Sequence, residues 1–173
     1  MACGNITEGY TRGCSTFTGG VLKVAAGNYS ASTVWDGVNA DGTISGSSNN
    51  NSTHYIYEQK EATCEATQNM VVGANGATTW EQSVTVKFFP VNQANRNKAE
   101  ELKNAQCTFI VYHQNGEKFL FGETNALEVS AGEANPGIAQ EDDNVISVTM
   151  VGKQPTAARE IDLDGTYNTT LIT

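Results

Sequence analysis

Residues 78–89, TTWEQSVTVKFF, alternate strictly. Trp80, Gln82, Val84, Val86 and Phe88 fall on one side, and Thr79, Glu81, Ser83, Thr85 and Lys87 on the other. A period of two belongs to a strand with one buried and one wet face, which suits an antiparallel sheet. Pro90 stops the pattern because it has no N–H to give to a ladder. Upstream, residues 54–67 (HYIYEQKEATCEAT) also alternate, though neither side is cleanly apolar. The two segments read as one long hairpin joined by residues 68–77, QNMVVGANGA, a Gly-rich connector that carries Met70, Val71, Val72 and Asn75.

Beyond Pro90 the pattern changes. Residues 94–106 are rich in helix formers and poor in β-branched residues, and Asn92 or Asn95 can cap them. Ala99, Leu102 and Ala105 make only a narrow apolar stripe, flanked by Lys98, Glu100, Glu101 and Lys103. Such a helix suits the edge or open end of a sheet better than a bundle core. A tight hairpin follows, turning at Asn115-Gly116, a pair that tolerates positive φ. Shorter strands are expected at residues 20–26, 33–38, 42–46, 126–130, 145–151 and 167–172. Loops are expected over the Ser/Asn tract 47–52 and the acidic, Gly/Pro-containing stretch 131–144. Residues 1–19 read as an N-terminal arm and residues 152–173 as a polar tail. The fold class is mainly β: a single-domain sandwich or barrel with one short flanking helix.

The 173 residues suit one domain, and a hydrophobic content of 39% suits one core. No apolar run approaches a membrane-spanning helix, and the opening MACGNITEGYTRGC has no apolar segment of a signal peptide. Synthesis and assembly in a cytosol are the expectation. Net charge is −9, with only 10 Lys and Arg, and they are scattered. A groove that grips nucleic acid needs clustered cations. Cys3, Cys14, Cys64 and Cys107 form no C-x-x-C pair and read as free thiols. His54 and His113 lie in strand segments and fit no zinc spacing. Glu141-Asp142-Asp143 lacks the alternating ligands of a calcium loop and reads as a solvated turn. The chain has no nucleophile elbow, P-loop or dinucleotide fingerprint, so no catalytic residue, cofactor or metal is expected.

The layout as a whole resembles the tail tube family of tailed-bacteriophage virion proteins. The likeness is carried by the charged helix, the hairpin IVYHQNGEKFLFGE, the ending AGEANPGIAQEDDNVISVTMVGKQPTAAREI and the opening MACGNITEGYTRGC. It implies a small sandwich or barrel that assembles with copies of itself into hexameric rings. The rings would stack into a conduit for the genome, in contact with other tail or connector proteins. Assembly would occur in the bacterial host cytoplasm and the product would reside in the virion. DNA would pass without being specifically bound, and no membrane would be involved. On this implication Met70, Val71, Val72 and Asn75 form an assembly contact, the Met70–Val72 tip touching a neighbouring ring of the stack, and carboxylates such as Glu61, Glu81, Glu141, Asp142 and Asp143 face the channel. Other roles suit the same sequence: a head–tail connector, a tail terminator, or a monomeric ligand- or carbohydrate-binding sandwich with Tyr55, Tyr57 and Trp80 lining its site.

Overall fold

The computed structural model describes residues 19–39, 41–48, 53–59, 63–74, 76–137 and 143–162. The chain is mainly β, with eleven strands and one helix among the described residues: β1 (Val21–Asn28), β2 (Val34–Val38), β3 (Ile44–Ser48), β4 (His54–Glu58), β5 (Glu65–Val72), β6 (Thr78–Phe88), α1 (Gln93–Lys103), β7 (Cys107–His113), β8 (Lys118–Phe121), β9 (Glu128–Asn135), β10 (Val145–Gln154) and β11 (Arg159–Glu160). Two antiparallel sheets, ordered β11-β8-β7-β1-β4 and β5-β6-β10-β9, form a sandwich, and β2-β3 is a separate ribbon.

The alternation of β6 becomes its burial pattern. Gln82, Val84, Val86 and Phe88 are buried and the residues between them are half-buried. β10 repeats this with Ile146, Val148 and Met150. These meet Val24, Ala26, Phe109, Val111 and Phe121 of the five-stranded sheet in the main core. β7 does not alternate, because its sheet is covered on both faces. On the far face Ala25, Ile110 and Leu120 pack with Trp35 and Ile44 of the ribbon and with Ile161. The ribbon is held there by an Ile44–Ile161 bridge and by Asp162 N–H donating to the Ile44 carbonyl at 2.8 Å. His54 is fully buried on that side. It lies opposite Gly27, where a Cβ would fall 2.7 Å from the imidazole, so a bare backbone is required.

The helix forms as expected. Asn92 caps it, its side-chain oxygen accepting from Asn95 N–H at 2.8 Å. Leu102 is buried in the main core, while Ala99 and Ala105 pack against it. α1 lies on β10 and on the edge strand β9.

Five expectations are corrected. Residues 54–67 are not one strand: β4 ends at Glu58 and β5 begins at Glu65, and the two join different sheets. Met70, Val71 and Val72 are not on a connector but complete β5, whose turn is closed by Gly73 N–H to the Ala77 carbonyl at 2.7 Å. Ser47 and Ser48 extend β3 into the Ser/Asn tract. The stretch 131–144 opens as strand, since β9 runs to Asn135. Residues 152–162 of the supposed tail also hold the end of β10, all of β11 and the buried Ile161. Most of the N-terminal arm, Cys3, Cys14 and residues 167–172 lie outside the described residues.

Candidate assembly surfaces

The outward face of the four-stranded sheet is a ladder of short polar side chains. Thr85 and Thr149 join hydroxyls across β6 and β10 at 3.0 Å. By register, Glu65, Glu81 and Glu133 lie on this face with Lys87 and Lys153. Glu81 stands directly opposite Lys153. Of the residues expected to line a channel, only Glu81 is placed on this sheet. Asp143 is exposed two residues before β10, and Glu61, Glu141 and Asp142 lie outside the described residues. Glu65 and Glu133 escaped sequence reading because neither strand alternates in hydrophobicity.

The inward face of the same sheet ends in a row of glutamines. Gln82 accepts from Gly122 N–H at 2.9 Å, and Gln68 beside it accepts from Ala158 N–H at 2.8 Å. Gln154 accepts from Thr124 and Asn125 N–H, both at 3.1 Å. These bonds tie the connections after β8 and β10 to the sheet and close the core. The β5–β6 hairpin runs past this row. Met70 is 59% and Val72 66% exposed, although both point to the core side of the sheet. Trp80 pairs with Met70 and is half-buried. No charged residue falls between Asn69 and Trp80. Asn75, the fourth residue of the expected contact, lies outside the described residues.

At the opposite edge, all eight residues of β9 are exposed. Between β9 and α1 runs a groove of about 420 Å³, with Ala99, Val129, Gly132 and Ala134 as walls and Ile146 and Val148 as floor. The small residues of β9 give this groove its depth, and nothing in the residue pattern 131–135 marks it as a strand edge.

A second concavity of about 980 Å³ lies between β4, the end of β6 and α1. Tyr55 and Tyr57 line it with Lys87, Lys98 and Glu101. Tyr57 packs edge-on against Phe88, with ring centroids 5.8 Å apart. Burial, reinforced by the Glu101 charge, raises the Tyr57 hydroxyl above its ordinary pKa. Trp80 is not part of this cleft, so the three aromatics expected to share a site do not.

His113 stacks edge-on against Phe119, at 5.2 Å between ring centroids. Among the described residues no three His, Cys, Asp or Glu side chains converge as a metal site. Cys64 and Cys107 are buried free thiols. Burial pushes Cys64 up from 9.0 to about 12 and Cys107 to about 11. Both should therefore resist iodoacetamide at pH 8 in the folded chain and react once urea unfolds it, as mass spectrometry of the alkylated peptides would show. Since each folded thiol keeps its proton where the unfolded one loses it, stability from this source is whole below pH 9 and falls as the pH rises toward 11 and 12. Rapid labelling of either thiol in the native chain would contradict the buried placement.

No family model, curated protein or solved structure matches this chain.

Proposed function

We propose that the chain is a virion structural protein that closes into rings through its four-stranded sheet, the rings stacking into the tail tube of a tailed phage. The observation that supports this most is that the sheet has four antiparallel strands and ends in two eight-residue edge strands, β5 and β9. With an even number of alternating strands, the edges run in opposite directions. A copy related by simple rotation therefore offers its β5 antiparallel to β9 of its neighbour, and the sheet continues without a break. Closure removes both edges, which otherwise invite uncontrolled pairing.

Six copies, the number the resemblance implies, would contribute 24 strands. At a strand spacing of about 4.8 Å and a tilt of about 45°, such a barrel is about 52 Å across between backbones, room for a DNA duplex. The Ser/Thr-rich face would line the bore, where Glu65, Glu81 and Glu133 outnumber Lys87 and Lys153. Fixed carboxylates repel phosphate over a Debye length of about 8 Å, which suits passage without binding.

Light scattering after size exclusion, with negative-stain microscopy of the same fractions, tests the reading. Rings or stacks many times the 18.4 kDa chain mass are expected. A particle that stays at 18.4 kDa at every concentration overturns it, and favours the second reading that the Tyr55–Tyr57 cleft supports: a monomeric sandwich holding a ligand between the tyrosines and the end of α1.

A further inference from the structure

We infer that Met70 and Val72 of one copy seat in the groove between α1 and β9 of the next, along a seam staggered by six residues. This rests on the ring reading and specifies its lateral contact.

The stagger follows from the registers. Through β6 and β10, Met70 is level with Gln154, whereas Gly132 is level with Val148, six rows away. Without a shift, only the first three residues of β5, Glu65 to Thr67, would face β9. An odd shift would turn the apolar face of one strand to the polar face of the other. A shift of six lays Thr67 to Val71 along Asn135 to Ala131, the run of β9 on the regular side of the bulge at Ser130. Met70 then meets Gly132, Val72 meets Val129 and Gln68 meets Ala134. On the polar face Asn69 meets Glu133 and Val71 meets Ala131. No carboxylate opposes another across those pairs. A shift of four would instead set Val71 against Glu128 and leave Val72 past the paired end of β9.

Barrel geometry is compatible with this shift. Four strands are about 19 Å wide, and six residues rise about 20 Å, so the strands slope at about 45°, at the upper end of the 35–45° that closed barrels adopt; a shift of four slopes at about 35°, so the side-chain pairings decide between the two. The chemistry fits as well. Two exposed apolar side chains on a charge-free segment meet a groove made by small residues, and a thioether adapts to an irregular space.

Cysteine pairs read the register directly. In a background with Cys3 and Cys14 replaced by serine, rings carrying Met70→Cys and Gly132→Cys should oxidise to a ladder of covalent oligomers on a non-reducing gel, while Met70→Cys with Val129→Cys should not. Cross-linking of the second pair in preference to the first overturns the six-residue seam. Rings that show neither ladder overturn it too, leaving the ring reading intact. A parent chain that forms no rings overturns both. If the cysteine variants fail to assemble, hydrogen exchange on the parent decides. Amides of residues 67–71 and 131–135 should both slow at least tenfold between dilute monomer and ring, and an unchanged rate at either edge overturns the seam.

Discussion

Replacing Gly122 by alanine is expected to destabilise the chain by about 2–5 kcal/mol, a large share of the roughly 5–15 kcal/mol that holds a typical domain folded. Two costs add. Gly122 has φ 78°, a left-handed conformation that charges an L-residue about 1–2 kcal/mol. Its added Cβ would also fall 2.6 Å from Leu127 Cδ1 and 3.0 Å from the Cys107 carbonyl oxygen. Leu127 is fully buried, and the carbonyl accepts from Leu127 N–H at 2.9 Å, so neither can retreat freely. Overpacking of this kind costs about 1–3 kcal/mol. Any backbone shift would also strain the bond from Gly122 N–H to the buried Gln82 side chain. Gly116 is the internal control. Its φ is 94°, yet a Cβ there meets nothing within 4 Å, so Gly116→Ala carries the backbone cost alone. Urea titrations of the two variants should separate by more than 1 kcal/mol, and equal midpoints would refute the steric account.

The sequence shows its structure where local chemistry decides. Alternation in β6, the Asn92 cap and the Asn115-Gly116 turn each depend on near neighbours, and each forms where its residues predict. The split between β4 and β5 is different. Residues 54–67 alternate throughout, but which sheet a strand joins depends on partners far along the chain. Val24 pairs with Tyr57 in one sheet, and Val84 with Ala66 in the other. Period-two reasoning is blind to that choice. The continuation of β9 beyond Ser130 is missed for a related reason. With all of Glu128–Asn135 exposed and only α1 alongside, the strand has little need of apolar residues, and β10 is its one strand partner. The second core was hidden because β7 reads as a plain apolar run, which fits any strand buried on both faces. Of the candidate site, Met70 and Val72 were legible as apolar residues without charged neighbours. The groove opposite them was not, since it is built from alanine and glycine, which carry little signal in one dimension.

The largest effect on assembly is expected from Gly132→Glu. The subunit itself should tolerate it. Gly132 is exposed, its φ is not positive, and an added Cβ would lie 3.6 Å from the Ser147 carbonyl oxygen, an ordinary contact. Surface changes of this kind usually stay within about 0.5 kcal/mol. In a ring the same carboxylate would be enclosed in the α1–β9 groove against Met70 of the next copy. Lys103 lines the same groove, but its ammonium is engaged there with Glu100 at 3.0 Å, so pairing with the new carboxylate would be gained only by breaking that pair. Enclosing an unpaired charge costs several kcal/mol. Even about 3 kcal/mol weakens each seam roughly 100-fold, and a ring repeats that penalty at every seam. Size exclusion should therefore show a folded monomer where the parent forms rings. Combining Gly132→Glu with Met70→Lys places opposite charges across the seam and should restore part of the assembly, which Met70→Lys alone should not. Rings formed by Gly132→Glu as readily as by the parent would remove the groove from the seam.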